Sequence, residues 1–380
     1  MASDNISIED LRRLGFASAP SMNAGRGEEI PSSFGNPITN SFFGINHMQT
    51  PLPVPMNKDH YGMVFFTRPL LNLQSANLKN VRRYYPLLTT EEKSVHRAVR
   101  CMLDPRLQVF GQESTDVTGT SMGLNCPLID PLNAFMPLLS NHIESFSGVP
   151  DTLIPIYDSP QGQYREQHTM VDGTAINYSA YNITATFRNS RGDPITKLFD
   201  YWVHYMGHVF EGLLVPYTDM MIANLIDYQT RVYRLILDPS RTTVVGIWAC
   251  GAAFPLSVPR GAQFDYNIEK PYNDASAKVQ IQFQANGSIV DDEILVWSFN
   301  RVVGAFHPSM RTEVTREQSM AKISREEMAV FNCRAYPRID PQTRELEWWV
   351  TKEYYAAIIN DSDRAREVLD SWAMGAPLEA

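Results

Sequence analysis

The stretch Arg231–Ala249, RVYRLILDPSRTTVVGIWA, contains two apolar runs on either side of a short polar segment. Asp-Pro is typical of a turn, because proline fixes its own φ angle and aspartate hydrogen-bonds nearby backbone amides. Both flanking runs are rich in Val, Ile, Leu and aromatic residues, most of which favour strands. The stretch therefore predicts a β-hairpin, whose second strand should be buried and followed by a loop.

The uncharged segment from Thr242 to Pro259 raises the question of a membrane span. A spanning helix needs about 20 mostly apolar residues. This segment is shorter and contains two glycines and two prolines, so a buried strand followed by a loop is the better interpretation.

Two further segments alternate strictly between apolar and polar residues. In AKVQIQFQA, Val279, Ile281 and Phe283 alternate with glutamines, and YNITATFRN from Tyr181 has the same period. Such alternation predicts half-buried strands whose polar side chains face water. Asn286-Gly287 predicts a hairpin turn after the first segment, and EILVWSF then predicts another strand. The three glutamines expected to face water are Gln280, Gln282 and Gln284.

LFDYWVHYMGHVFEGL, which begins at Leu198, has the apolar spacing of an amphipathic helix. Asp193 is a suitable N-cap and Pro194 a suitable first helical residue. The apolar stripe should face the core of the domain, so Phe199 and Trp202 are expected to be buried.

The opposite stripe of the same helix places His204, His208 and Glu211 together, which leaves two interpretations open. One is the active site of a cytosolic metal-dependent enzyme that uses these three residues. The helical zinc motif H-E-x-x-H fails, however, because a tyrosine follows His204. The other interpretation is an aromatic surface that contacts a partner, and it predicts no metal, no cofactor and no catalytic residue. The candidate subunit-interface residues are Tyr201, His204, Tyr205 and His208.

The rest of the chain is patterned less clearly. Residues 1–60 are rich in Pro, Gly, Ser and Asn and are expected to form either a flexible tail or an extended arm that orders against a neighbouring subunit. TTEEKSVHRAVRCML predicts a helix capped by Thr89 or Thr90. CRAYPRI and ELEWWVT flank a DPQTR turn and predict a second hairpin, and a polar helix is expected around Asp361–Trp372.

Composition limits the class of protein. With 380 residues, 44% of them hydrophobic, the chain can bury a substantial core. The net charge of -9 and the absence of a Lys/Arg cluster argue against a protein that grips DNA. The first residues contain no apolar segment, so no signal peptide is expected, and the four cysteines are widely spaced, so we expect reduced, buried thiols.

The order of these elements, with the runs DYQTRVYRLILDP and GAAFPLSVPRGAQFD, resembles the tail-tube type of virion protein in large contractile-tailed phages. The resemblance covers about residues 178–300. It implies an α+β, β-dominated fold, namely an antiparallel β-sandwich or barrel with one flanking amphipathic helix. It also implies four parts, which are an extended arm (1–60), an irregular α/β addition (61–165), the tube-like module (166–310) and a helix–hairpin–helix addition (311–380).

The resemblance further implies a non-enzymatic structural role in the virion, with assembly in the host cytoplasm. Subunits of this type form homo-oligomeric rings, commonly hexameric, that stack around a DNA channel and contact neighbouring tube, baseplate or sheath proteins. The expected part is a ring of the central tube or the tube-initiating part of the baseplate. DNA is expected to pass without specific binding, and no membrane is expected to be involved.

Overall fold

The computed structural model describes residues 61–109, 124–174, 177–264, 278–324, 327–328, 330–331 and 334–360. The expected arm (1–60) and the expected helix around Asp361–Trp372 lie outside these residues. No helix in the described part of the chain combines the length and the apolar character that a bilayer crossing requires.

The strands are β1 (Tyr61–Phe66), β2 (Ile143–Ser147), β3 (Ile156–Asp158), β4 (Thr169–Val171), β5 (Asn177–Arg188), β6 (Val232–Leu237), β7 (Val244–Pro255), β8 (Lys278–Val290), β9 (Met320–Ile323), β10 (Tyr336–Ile339) and β11 (Leu346–Thr351). The helices are α1 (Ser75–Leu78), α2 (Val95–Leu103), α3 (Arg106–Val109), α4 (Pro137–His142), α5 (Pro194–Phe210), α6 (Thr218–Ile222), α7 (Gly261–Phe264), α8 (Glu293–Phe306), α9 (Glu313–Ser319) and α10 (Lys352–Asn360), with 3₁₀ turns at Arg82–Leu88 and Pro308–Met310.

The main sheet is antiparallel and has the strand order β1-β6-β7-β8-β5-β2. The first predicted hairpin is confirmed, because β6 pairs with β7 across the Asp-Pro turn. The strands predicted at Tyr181 and Val279 are confirmed as neighbours, with Ile183 opposite Phe283. The uncharged segment from Thr242 is the buried strand β7 followed by a loop, as expected.

The turn predicted at Asn286-Gly287 is wrong. β8 continues through both residues, and Asn286 is paired with Ala180 of β5 and with Ala252 of β7. Gly287 adopts the left-handed conformation (φ 68°) that glycine tolerates, without ending the strand. Because backbone partners are available on both sides, the ladder is maintained where an isolated Asn-Gly pair would form a turn.

The strand predicted at EILVWSF is also wrong, since this segment opens helix α8. The Asp292 side chain caps the helix by accepting a hydrogen bond from the Ile294 backbone N–H at 2.9 Å. Leu295, Val296 and Phe299 are buried on one side of the helix. The spacing of these three residues is helical, but an apolar run this short does not distinguish the period of a helix from that of a strand.

The two ends of the sheet are joined by residues 134–142, which gives a nearly closed barrel. Beside β1, the Met136 backbone N–H donates to Phe66 O at 2.9 Å, and α4 then leads directly into β2. The buried Arg68 guanidinium fixes this junction through backbone carbonyls, among them Cys101 O at 2.5 Å and Asn133 O at 3.2 Å. β1 and β2 come from the segment expected to be an addition, so residue 166 is not a boundary of the sheet.

Helix α5 packs against the inner face of the barrel. Phe199 contacts Phe187 and Phe283, and both Phe199 and Trp202 are fully buried, as predicted. Asp193 precedes the helix, but it has a left-handed φ of 53° and makes no side-chain cap. Its carboxylate instead accepts a hydrogen bond from the Asn189 side chain at 2.8 Å. Asp193 and Pro194 thus occupy the predicted N-cap and first helical positions, but the Asp193 side chain does not cap the helix.

Helix α8 and a three-stranded sheet of order β10-β11-β9 cover the outer side of β1, β6 and β7. Phe299 of α8 packs edge-on against Tyr233 of β6 and Phe65 of β1. The predicted hairpin at Tyr336–Thr351 is confirmed as β10 and β11. The barrel therefore has one outer side covered by this layer, whereas β2, β5 and β8 lie on the other side.

The helix predicted at TTEEKSVHRAVRCML begins later than expected. Its N-cap is Ser94, whose hydroxyl accepts a hydrogen bond from the Arg97 backbone N–H, and α2 starts at Val95. Thr89 ends the preceding 3₁₀ turn instead. This short connection brings α2 against α5, which determines the environment of the candidate helix stripe.

Candidate functional site

A polar sheet face lies on the outer side of β2, β5 and β8. Cross-strand pairs place Thr184 opposite Gln282 and Thr186 opposite Gln280, while serines of β2 extend the same face. These amides and hydroxyls cannot pack against an apolar layer without losing hydrogen bonds to water. The polar face consists of Ser145, Ser147, Asn182, Thr184, Thr186, Gln280, Gln282 and Gln284.

The prediction that the glutamines face water is confirmed for Gln280 and Gln282, which are exposed. Gln284 is half-buried, because its amide donates a hydrogen bond to Tyr181 O at 3.3 Å. Charge is present at one end of the face, where Lys278 forms an ion pair with Glu144 at 2.7 Å and stands opposite Arg188. The middle of the face is uncharged, so it offers water and solutes a neutral, hydrated surface.

Tyr205 contradicts the predicted exposed aromatic stripe, because it is fully buried. Its hydroxyl donates a hydrogen bond to Asp227 Oδ2 at 2.5 Å and accepts one from the Asn72 backbone N–H at 3.0 Å. Burial, followed by the charge of Asp227, raises the pKa of Tyr205. Tyr205 therefore cannot present its side chain to a neighbouring subunit in this fold.

Tyr201 is also buried, at 7% exposure, against residues that precede α5 in the sequence. Its hydroxyl lies 3.2 Å from His96 Nδ1 of α2, and its ring packs against Tyr84. The physical reason for both corrections is a second layer. The 3₁₀ turn and α2 cover Tyr201, and the segments that contain Asn72 and Asp227 cover Tyr205, on the face of α5 that periodicity alone assigned to solvent.

His204 and His208 are half-exposed at the edge of this layer, with ring centroids 6.2 Å apart. Asp200 lies at the centre of the charges beside them. Its carboxylate oxygens lie 3.0 Å from Arg83 Nη2, 2.7 Å from Arg260 Nη2 and 3.4 Å from His204 Nε2. Burial and then the positive charge of Arg83 lower the pKa of His204.

The candidate metal stripe does not converge on one point. His208 Nδ1 lies 3.1 Å from Glu211, whereas His204 faces Asp200 on the preceding turn. Within the described ranges, no group of three His, Cys, Asp or Glu residues has the arrangement that a metal ion needs. The stripe therefore consists of two separate histidine–carboxylate contacts, one to Asp200 and one to Glu211.

A buried carboxylate, Asp104, ties the segment before the barrel to the loop after α5. Its Oδ2 accepts hydrogen bonds from the Tyr217 hydroxyl at 2.7 Å and from the Leu73 backbone N–H at 2.9 Å, and Oδ1 accepts from the Arg106 N–H. Burial nevertheless dominates and raises the pKa of Asp104 to about 6. No motif or period in the sequence marks this carboxylate, because two of its three partners, Leu73 and Tyr217, are distant in sequence.

We expect the pH dependence of stability to report on Asp104. A carboxyl whose pKa rises from 3.8 to about 6 on folding favours the folded state below 3.8, and this contribution is lost as pH rises through 6. The loss is about 3 kcal/mol for about two pKa units. Urea unfolding should be measured for wild type and Asp104→Asn at about pH 4 and pH 7.5. Between the lower and the higher pH, the unfolding free energy of the variant should rise relative to that of wild type by about this amount. Parallel pH profiles would contradict the assignment.

A surface of apolar side chains continues from the end of α5. Phe210 is 94% exposed, and Leu213, Met221, Ile222 and Leu225 are exposed around the short helix α6. Exposed apolar patches of this kind mark contacts with other proteins. The apolar residues were visible in the sequence, but nothing in their spacing showed that the fold would leave them uncovered.

The hairpin of β3 and β4 lies between β2 and β5 in the sequence, and all residues of both strands are exposed. Ile156 pairs with Val171 and Tyr157 with Met170, so apolar side chains occupy both of its faces. An isolated two-stranded hairpin is at best marginally stable in water. This hairpin, which was not predicted from the sequence, therefore leaves its apolar side chains uncovered by the rest of the subunit.

The charges of the hairpin are mostly acidic. Residues 148–174 contain four carboxylates and one arginine, for a net charge of −3 with the histidine neutral. The opposite end of the main sheet carries Arg188, Arg191, Lys197 and Lys278 together with Glu144 and Asp193, for a net charge of +2. Phe264 and Leu256 add exposed apolar side chains near that end. We call the first element the docking hairpin and the second, with its apolar neighbours, the basic end.

A family model described as "Putative phage tail tube protein" matches residues 25–364 of the chain. Among solved structures, the chain is similar to the tube-terminating cap of the anti-feeding prophage, with 17% identity and a TM-score of 0.26 over 42% of this chain and 83% of that one.

Two further similar structures belong to an extracellular contractile injection system, PVC. One is its sheath–tube complex in the extended state (17% identity, TM-score 0.26, 41% of this chain and 82% of that one). The other is its sheath/tube terminator (15%, 0.24, 40% and 85%). Comparison with curated proteins gives no match.

Proposed function

The chain belongs to the phage tail tube protein family, and from this premise we propose that it is a non-enzymatic subunit of a ring around the DNA channel. The ring belongs to the central tube or to the tube-initiating part of the baseplate, and hexameric closure is the expected symmetry. The observation that carries the proposal is the polar face on one outer side of the barrel, opposite the side covered by α8.

In this proposal the polar face lines the channel. Duplex DNA carries one negative charge per about 1.7 Å of its axis, so a wall of Lys and Arg would hold its phosphates. A wall of amides and hydroxyls holds a water layer instead and lets the duplex pass. The uncharged middle of β5 and β8, where Thr184 faces Gln282, provides such a wall.

The edges of the sheet support closure by neighbouring subunits. β2 is the last strand of the sheet, and none of the described residues pairs with its outer edge. An open strand edge can pair with a strand of another chain. In the ring, the edge of β2 meets a neighbouring subunit, so that the polar faces form one continuous wall.

Stacking of rings is proposed to use the docking hairpin and the basic end. They lie at opposite ends of the main sheet, because the hairpin precedes the first residue of β5 and Arg188 is its last residue. Their charges are opposite, and both include exposed apolar side chains. A head-to-tail contact between unlike surfaces repeats along an axis without closing on itself, as a tube requires.

The predicted interface role of α5 is retained for its half-exposed histidines alone. His204 and His208 adjoin the apolar surface at Phe210, and together these residues are proposed to contact the subunit beside them in the ring. Neighbouring tube, baseplate or sheath proteins are the remaining proposed partners, and the virion is the proposed location.

Electron microscopy of the purified full chain tests the proposal directly. We expect rings or stacked rings whose reconstruction places β5 and β8 at the channel. A reconstruction in which the polar face lies on the outside of the ring, or a chain that stays monomeric at every concentration, would contradict it.

We also expect added positive charge on the polar face to convert the channel into a DNA-binding surface. Gln280→Lys with Gln282→Lys places two cations per subunit where duplex DNA passes, so assembled rings should bind DNA in a salt-dependent manner. The matched control is Gln342→Lys, which is exposed in the turn between β10 and β11. Equal DNA retention by both variants in filter binding would contradict the proposal that the polar face lines the channel.

A further inference from the structure

An apolar groove opens between helices α2 and α4 and the start of α5. Its volume is about 280 Å³, and nine of its eleven lining residues are apolar, the polar ones being Asn141 and His142. Ala98 of α2 and Leu138 of α4 pack against the main hydrophobic core and stay partly exposed, and Leu128 at the edge of the groove is 54% exposed. Exposed apolar surfaces of this kind are contact sites for other proteins.

The groove lies at the basic end of the main sheet. Helix α4 leads directly into β2, whose first residue, Ile143, pairs with Phe187 near the end of β5. Pro194 also lines the groove and is the first residue of α5. In the chain, this proline lies between Arg191 and Lys197, which are two of the cations of the basic end. The apolar groove therefore adjoins a surface of net positive charge.

The docking hairpin carries the complementary surface at the other end of the sheet. Ile156 and Val171 form a cross-strand pair on one hairpin face, and Asp158 projects from the same face two residues further on. The 12 residues of β5 separate the two ends by about 40 Å, at about 3.4 Å per residue. Because all residues of β3 and β4 are exposed, the hairpin does not occupy the groove of its own subunit.

We propose that the groove is the docking site for the docking hairpin of a second copy of this chain. The inference rests on the proposed function, because it names the two surfaces through which one ring would meet the next. A cavity of about 150 Å³ lined by aliphatic and aromatic residues holds a benzene molecule, so the groove has room for the side chains of Ile156 and Val171.

Charge selects the hairpin as the occupant of the groove. Residues 148–174 have a net charge of −3, whereas the basic end beside the groove has a net charge of +2. With the apolar pair in the groove, Asp158 on the same hairpin face approaches these cations. Opposite charges across an interface fix the register of the contact and disfavour a meeting of two like ends. Since hairpin and groove are different surfaces at opposite ends of the sheet, the contact repeats head to tail.

A photo-reactive label at the edge of the groove identifies its occupant. Leu128→Cys in the full chain is labelled with a maleimide–benzophenone probe, illuminated and mapped by mass spectrometry, with wild type as the control because the three described cysteines are buried. A mixture of isotopically heavy and light chains shows whether a cross-link joins two copies. We expect cross-links to residues 148–174 of another chain. Cross-links to residues 1–60, or to any other surface, would overturn the proposal.

A variant inside the groove tests whether the contact contributes to assembly. Ala98→Glu places a carboxylate against the apolar pair and Asp158 of the hairpin, so the assembled fraction in sedimentation velocity should fall at least about tenfold. The matched control is Ala305→Glu, which is exposed on α8 in the layer over the other outer side of the barrel and should assemble as wild type does. Equal assembly of both variants would contradict the proposal. If Ala98→Glu does not fold, the label mapping still decides the question.

Electron microscopy of the same samples separates this inference from the proposed function. Rings whose groove label does not reach a hairpin would contradict the docking site and leave the ring role standing. Chains cross-linked from hairpin to groove without ring closure would support the docking site and contradict the ring. Chains that stay monomeric at every concentration would contradict both.

Discussion

Ile156→Ser with Val171→Ser in the docking hairpin is expected to abolish stacking of subunits and to leave each subunit folded. The two residues form a cross-strand pair, are 61% and 67% exposed, and make no contribution to either core cluster of the barrel. Their apolar area is buried only when a partner covers the hairpin. Since burial contributes about 25 cal/mol per Å², removing this pair from a contact repeated in every subunit should reduce the assembled fraction at least about tenfold.

The measurement is sedimentation velocity at several protein concentrations, with circular dichroism and thermal melting to show that the fold is intact. Val314→Ser is the matched control, because Val314 is 64% exposed on α9 in the layer over the other outer side of the barrel. The proposed contact also joins opposite charges, so added salt should weaken assembly of the wild type. Tubes formed equally well by the hairpin variant would assign stacking to other surfaces.

Local patterning was sufficient wherever a strand or helix keeps one face in the core. The alternation in VQIQFQ and the spacing of Phe199 and Trp202 follow from burial on one side, and the structure confirms both. The Asp-Pro turn between β6 and β7 was also predictable, since its chemistry is contained in adjacent residues.

The errors share a different cause, which is tertiary contact between segments far apart in sequence. Asn286-Gly287 stays in a strand because β5 and β7 supply partners on both sides. Tyr205 is buried because Asn72, from a segment more than a hundred positions earlier, donates to its hydroxyl. The docking hairpin was missed because short exposed strands carry little periodic signal. Of the four candidate interface residues, only His204 and His208 therefore remain exposed enough to contact a partner.

Trp202→Ala is expected to cost about 3–5 kcal/mol of unfolding free energy, as for other large truncations in a core. The Trp202 ring is fully buried, stacks on Phe199 with centroids 6.1 Å apart, and donates Nε1–H to Tyr228 O at 3.0 Å. Truncation leaves a cavity between α5 and the sheet and an unpaired carbonyl. Urea unfolding of the full chain provides the measurement, and a loss below about 1 kcal/mol would place this face of α5 outside the core.

The control lies on the same helix and separates packing from chemistry. His204→Ala with His208→Ala removes two half-exposed rings, while Asp200 keeps its ion pairs with Arg83 and Arg260. The double variant should therefore unfold within about 1 kcal/mol of wild type, as surface substitutions usually do. Elemental analysis adds a second readout, because a stoichiometric zinc that disappears in the double variant would restore the metal interpretation. If the tryptophan costs several kcal/mol and the histidines cost almost none, α5 acts as the packing element of the barrel, and its exposed edge is free to serve an interface.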